Sequence, residues 1–234
     1  MFLLYAWLSA VVFVVALTYV GYFFVTLTPQ TPQESPIVAL ALDVGLFGVF
    51  AIHHSLMARS GAKRWLERHV PPEIERATYV WVASVLLIVT CLLWRDLPGT
   101  VYTLTGWLRG IGIASQAAGL IIIAMAVSVL DPLELAGVRQ LLPSRRVANV
   151  GHEPNLLRIR GPYRWLRHPI YLGWVLAVFG APDMSTTRLA FAGISTAYVV
   201  IAVPWEERSM AETFGDAYRR YTQQVRWRIV PWVY

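Results

Sequence analysis

The chain has 234 residues, 56% of them hydrophobic and 15% charged, and its mean hydropathy is +0.51. Soluble domains carry roughly 25% charged residues, so a soluble globular protein is excluded and an integral membrane protein is expected. The net charge of +6 does not imply nucleic acid, because the arginines flank apolar spans, where topology selection and anionic headgroups account for them.

A bilayer span takes about 20 apolar residues, and four segments qualify, at roughly 2 to 26, 37 to 57, 78 to 95 and 107 to 130. The first, MFLLYAWLSAVVFVVALTYVGYFFV, has no basic lead and no A-x-A site, so it is expected to stay as a transmembrane helix rather than act as a signal peptide. The loop TPQTPQESP lacks cations, whereas 58 to 77 holds Arg59, Lys63, Arg64, Arg68 and Arg76. Basic loops stay in the cytoplasm, which puts 58 to 77, 131 to 168 and the C-terminal segment on that side. Pro71-Pro72 followed by Glu73 and Glu75 suits the start of the third helix. Cys91 is the only cysteine, so an intrachain disulfide is excluded, and its apolar neighbours make it a core thiol.

Two shorter apolar runs, 169 to 181 and 188 to 204, are separated by PDMSTT. They read as a helical hairpin, tilted or reaching part of the depth. Beyond it, EERSMAETFGDAYRRYTQQV sets Met210, Phe214, Tyr218 and Tyr221 on one face, an amphipathic helix at the membrane surface. The expected fold is all-α, with four transmembrane helices, a C-terminal membrane hairpin (five to six membrane elements) and an amphipathic C-terminal helix. It forms one membrane domain, with residues 1–130 as the helical part and 131–234 as a cytoplasmic-facing cofactor-binding part.

The stretch GPYRWLRHPIYLG crowds Arg164, Arg167 and His168 at the mouth of the hairpin. The returning arm ends at Pro204, which brings Glu206 and Glu207 back toward Arg167 and His168. A partly desolvated cluster of both signs needs mutual pairing or a zwitterionic ligand. Gly161 and Gly173 permit close approach, and Tyr163, Tyr171 and Trp205 add aromatic faces. S-adenosylmethionine, with its carboxylate, amine, hydroxyls, base and sulfonium, matches that inventory. The competing reading is that the arginines snorkel as positive-inside flanks while His168-Pro169 opens a helix.

GPYRWLRHPIYLG followed at hairpin distance by EERSMAETFGDAYRRYTQQV resembles the C-terminal signature of isoprenylcysteine carboxyl methyltransferase-like membrane methyltransferases, which are themselves similar to phospholipid N-methyltransferases. HHSLMARSGAKRWLERHVPPEIERATYVWVAS and LELAGVRQ resemble the NnrU-type branch, which includes methanethiol S-methyltransferases. Pro132 stands where that branch carries a histidine.

The resemblance implies S-adenosylmethionine as cofactor, with Tyr163, Arg167, His168, Pro169, Tyr171, Gly173, Glu206 and Glu207 as binding candidates, and methyl transfer to a small lipophilic thiol or another lipid-soluble substrate. Isoprenylcysteine carboxylates and lipid headgroups are alternative acceptors. Another alternative is a haem-binding isomerase, through the likeness of NnrU-type chains to zeta-carotene isomerases. No metal ligands are otherwise assigned. The second helix supplies the catalytic candidates His54, His53 and Asp43: a thiol attacks as its thiolate and needs a proton acceptor, and an acid inside lipid is by default a functional hypothesis. Each also reads as a satisfied interface residue. Membrane lipids are the expected partners, and the bilayer is expected to be a bacterial inner membrane with the site facing the cytoplasm.

Overall fold

The computed structural model describes residues 1–27, 34–57, 60–66, 68–142 and 157–234. Arg59, His152, the cations between 143 and 156 and most of the 28–36 loop lie outside the described residues. The helices are α1 (Phe2–Thr26), α2 (Pro36–Met57), α3 (Ser60–Leu66), α4 (Glu75–Leu92), α5 (Gly106–Val129), α6 (Pro132–Leu135), α7 (Pro169–Phe179), α8 (Thr186–Phe214) and α9 (Asp216–Gln224). Among the described residues, α1, α2, α4, α5 and α8 are long and apolar enough to cross a membrane. Large apolar side chains such as Val14, Ile52, Leu120 and Ile201 point outward from them. Helices satisfy their own backbone polar groups, as a lipid surrounding demands, and the chain is an integral membrane protein.

Three features differ from the sequence-based expectation. The second hairpin arm is 29 residues long and runs through Pro204 to Phe214, because one missing N–H is tolerated in a long helix whose neighbouring bonds hold. The amphipathic segment is split at Gly215, whose φ of 53° ends α8 in a conformation that glycine adopts readily. Its aromatic face does not lie free on the membrane surface, since Tyr218 and Tyr221 are buried with Leu157, Ile159 and Phe214 packed around them. A two-stranded antiparallel pair, β1 (Thr100–Thr103) with β2 (Asp183–Ser185), was also not foreseen.

The chain divides into two compact units. One comprises Met1–Leu27, Pro32–Asp96 and Asp131–Glu153, and in it both α1 and α2 pack on α4. Small residues let the helices close: Ala6 and Ala10 of α1 form a cluster with Ala77 of α4, Ala136 and Val138. The LELAGVRQ segment docks there through Gly137, at φ +77, where an added Cβ would fall 2.7 Å from the Ala77 nitrogen. Pro132 begins α6, which is capped by the Asp131 carboxylate accepting from the Leu133 amide at 3.1 Å.

The other unit comprises Thr28–Thr31, Leu97–Leu130 and Pro154–Tyr234. Its α5, grouped by sequence with the first four helices, packs chiefly on α7. The crossing point is a pair of glycines: a Cβ on Gly119 would lie 2.4 Å from the Gly173 carbonyl oxygen, and one on Gly173 would lie 2.6 Å from that of Gly119. Such small-residue contacts replace hydrophobic burial as the source of helix association in lipid. Trp174 Nε1 donates to Ser195 Oγ at 3.0 Å and ties α7 to α8.

Candidate active site

The site lies within the second unit, where the chain enters α7. Gly161, at φ +55, starts a 3-10 turn over Gly161–Arg164. Pro169 then occupies the first turn of α7, where its missing N–H costs nothing, leaving Arg167 and His168 immediately before the helix. From below, the Tyr221 hydroxyl donates to the carbonyls of Tyr163 (2.8 Å) and Leu166 (3.2 Å). Alongside, the Arg167 and His168 amides donate to the carbonyls of Trp227 (3.0 Å) and Arg228 (2.8 Å), so the C-terminal segment forms one wall.

The side chains converge on two acids of α8. His168 Nδ1 lies 3.5 Å from Glu206 Oε2, and His168 Nε2 lies 3.4 Å from Glu207 Oε1. Arg167 Nε is 3.1 Å from Glu207 Oε1, and Arg228 Nε donates to Glu207 Oε2 at 3.1 Å. The Tyr171 hydroxyl donates to Glu206, and its ring stacks parallel on His168 with centroids 5.3 Å apart. The Arg167, His168 and Glu207 side chains are each only 11% exposed.

Burial acts to lower the affinity of His168 for a proton, and the two facing carboxylates more than reverse this, so the imidazole is held above its ordinary range. Burial, with Tyr221 and Glu206 nearby, keeps the Tyr163 phenol protonated well above the usual tyrosine range. Arg167 Nε, His168 Nε2 and Glu207 Oε1 are near one another as charges but misaligned as donors and acceptors. All three are buried without a hydrogen-bond partner among the described residues. Buried polar atoms without partners are costly, and this set, two donors beside an acceptor, suits a ligand that carries both a carboxylate and an ammonium group.

Two of the sequence candidates stand at packing positions. Gly173 lies against α5 at the glycine crossing, and Pro169 is a buried helix start. A glycine needed for close helix contact and one needed for a ligand look alike in sequence, since both demand a missing Cβ.

The catalytic candidates lie in the other unit. His54 Nδ1 and the Tyr79 hydroxyl are 2.8 Å apart, and the His54 ring stacks on Phe50 at 5.5 Å. His53 stacks on the Tyr79 ring at 6.0 Å, with its Nδ1 buried and unpartnered among the described residues. Asp43 is fully buried, and its Oδ1 accepts the Arg95 amide at 2.8 Å. Eleven positions separate it from His54, about 16 Å along a helix, so α2 does not bring those two together.

Sequence reasoning missed Arg228 and Tyr79, and it set Tyr221 on the amphipathic face without giving it a place beneath the site. Arg228 could have been suspected from RWRIV, an arginine pair among apolar residues after the last helix.

A family model described as phospholipid methyltransferase matches residues 148–217, the stretch holding Arg167, His168, Glu206 and Glu207. The chain is 36% identical to a methanethiol S-methyltransferase of Mycobacterium tuberculosis over 98% of this chain and 96% of that protein. It is 32% identical to methanethiol S-methyltransferase 1 of Bradyrhizobium diazoefficiens, covering 98% and 81%. Nurim of Bos taurus is more distant, 27% identical over 73% of this chain and 67% of its own length. No solved structure matches. Likeness at this level over nearly the whole chain shows the family, and the chain belongs to the methanethiol S-methyltransferase family of membrane methyltransferases.

Proposed function

We propose that the protein transfers the methyl group of S-adenosylmethionine to a small lipophilic thiol, with methanethiol giving dimethyl sulfide as the leading case, and that its polar face is cytoplasmic. The observation that carries this reading is the buried cluster of Arg167, His168 and Glu207, whose polar atoms lack mutual hydrogen bonds. In the bound state Arg167 and protonated His168 would hold the donor's carboxylate, Glu207 its ammonium group, and Tyr171, with Glu206, a hydroxyl or ring face. When bound, S-adenosylmethionine supplies a methyl group on a positively charged sulfur.

Proton removal falls to His54. In that role Nδ1–H donates to the Tyr79 oxygen and Nε2 keeps its lone pair, a tautomer assigned by role. His53 stands in reserve on the same helix, and Asp43, bound to a backbone amide, is left a structural part. Opposite charges annihilate when a thiolate attacks a sulfonium, so excluding water favours transfer. A membrane setting achieves this while an apolar acceptor arrives from lipid.

The test supplies deuteromethyl-labelled S-adenosylmethionine with a panel of thiols, prenylcysteines and phospholipids, and reads the labelled product by mass spectrometry. Label on the small thiols is expected. Label confined to prenylcysteine esters or to lipid headgroups, the outcome to which the phospholipid methyltransferase match points, would overturn the thiol reading.

A further inference from the structure

The unit containing α1, α2 and α4 holds an open-sided cavity of about 250 Å³. Its walls come from the faces of α1 and α2 that look onto α4, with Leu135 at one edge, and they are apolar except at His54, Arg76, Tyr79 and Ser84. Those four are not placed at random. Tyr79 holds His54 at 2.8 Å, and the Arg76 guanidinium lies 5.3 Å from the Tyr79 ring centre, so a base and a cation share one end. Ser84 is five residues further along α4, about 7.5 Å deeper on the helix axis. It is 3% exposed, and its hydroxyl has no partner among the described residues.

A buried hydroxyl without a partner in an apolar chamber calls for an occupant with one polar atom. The cation and the imidazole narrow that atom further, because a positive neighbour stabilises a thiolate far more than it stabilises an alcohol or a hydrocarbon. Leu17, which lines the cavity, is 53% exposed on the outer face of α1, so the chamber opens sideways toward lipid.

Size sets the range. An apolar cavity of about 150 Å³ is enough for benzene, with its six heavy atoms, so in proportion 250 Å³ holds roughly ten. Methanethiol has only two. We propose that this cavity is the acceptor pocket, entered from the bilayer, and that it accepts apolar thiols well beyond methanethiol, up to alkyl and arylalkyl thiols of about eight to ten heavy atoms. This rests on the thiol reading above. The step is R–SH plus the sulfonium methyl donor giving R–S–CH3, S-adenosylhomocysteine and a proton. The new S–C bond forms as the old one breaks, the bonding pair stays on the departing sulfur, and the thiol proton passes to His54.

The experiment measures transfer from deuteromethyl S-adenosylmethionine to methanethiol, 1-butanethiol, 1-hexanethiol, phenylmethanethiol and 1-dodecanethiol, in nanodiscs of one lipid composition. Wild type is compared with Ala83→Leu, whose new side chain enters the cavity from α4. Partition into lipid is common to both proteins, so their ratio reports the pocket alone. Wild type is expected to methylate the series through phenylmethanethiol and to turn over 1-dodecanethiol, whose chain outruns the cavity, more slowly. In Ala83→Leu the KM for 1-hexanethiol and phenylmethanethiol rises about tenfold relative to that for methanethiol, the effect of overfilling a fixed volume. Should Ala83→Leu not yield protein that binds S-adenosylhomocysteine, Ala16→Leu narrows the same space from α1 and is expected to give the same order. A wild type that stops at methanethiol, or a variant ratio that is flat along the series as it would be for a lipid-filled groove, sinks the pocket while thiol methylation stands. Label on no thiol overturns both readings.

Discussion

Replacing Glu207 by glutamine probes the ionic cluster directly. The carboxylate is 11% exposed and lies 3.1 Å from Arg167 Nε, 3.1 Å from Arg228 Nε and 3.4 Å from His168 Nε2. Without it Arg167, also 11% exposed, remains a buried cation, and removing one partner of such a pair costs about 3–5 kcal/mol. Arg228 is 34% exposed, so water screens it and its share falls to about 0–1 kcal/mol. Glu207→Gln is therefore expected to lose about 3–5 kcal/mol of stability along with S-adenosylhomocysteine affinity. Arg167→Met should lose a similar amount by stranding the carboxylate. The double variant carries neither buried charge, so it should recover at least about 2 kcal/mol of the summed losses. Unfolding in mixed micelles, followed by tryptophan fluorescence, gives the four free energies of the cycle. Losses that add to within about 0.5 kcal/mol would mean the two side chains are not coupled, and the electrostatic reading of the site would fall.

His168 sits above its ordinary range because of Glu206 and Glu207. Its stabilising contribution is thus complete below the unfolded value of about 6.5 and is lost as pH climbs through the raised native value. Melting temperature should fall over that alkaline window, and His168→Gln should flatten that part of the profile; an unchanged slope would refute the assignment. Gly173→Ala places a Cβ 2.6 Å from the Gly119 carbonyl oxygen and is expected to destabilise by about 1–3 kcal/mol. Gly193→Ala, where a Cβ meets nothing within 4 Å, should stabilise by up to about 1 kcal/mol in the same unfolding assay. Tyr79→Phe removes the hydrogen bond to His54 and should lower kcat for thiol methylation about tenfold, the equivalent of a lost bond of about 1.4 kcal/mol, with S-adenosylhomocysteine affinity held within about twofold.

The spans were legible because length and hydropathy are sufficient signals in lipid: the first four expected helices agree with α1, α2, α4 and α5 to within a few residues. The meeting of His168 with Glu206 and Glu207 was legible for a related reason, since an apolar run must turn and return, which restricts where its polar flanks can lie. What depended on close packing was not legible. The role of Gly173 is set by Gly119, 54 positions away on another helix, and no pattern local to either glycine reveals it. Arg228 reaches Glu207 only because the backbone of 227 and 228 pairs with that of 167 and 168, a register no periodicity encodes. The end of α8 was misplaced because Pro204 and the charged WEERS run look like an exit from the membrane, whereas the helix holds its hydrogen bonds to Phe214.

The two hairpin arms differ in helical length, yet their polar ends meet, and the strand that sequence reading did not foresee accounts for this. From Pro169 to Phe179 the short arm rises about 15 Å, at 1.5 Å per helical residue, and the non-helical Arg167 and His168 add several more, while α8 needs about 31 Å to run from Thr186 to Glu207. Extended chain rises about 3.3 Å per residue, so the three residues of β2 reach about 10 Å, and Gly180, Ala181 and Pro182 need cover only the few remaining ångströms. Pairing with β1, from Thr100 opposite Ser185 to Thr103 opposite Asp183, holds this segment extended, and the Thr187 hydroxyl accepting the Leu97 amide at 2.9 Å fixes the first turn of α8 beside it. The small sheet at the far end of the hairpin therefore sets the axial register that lets a histidine and an arginine face two glutamates at the other.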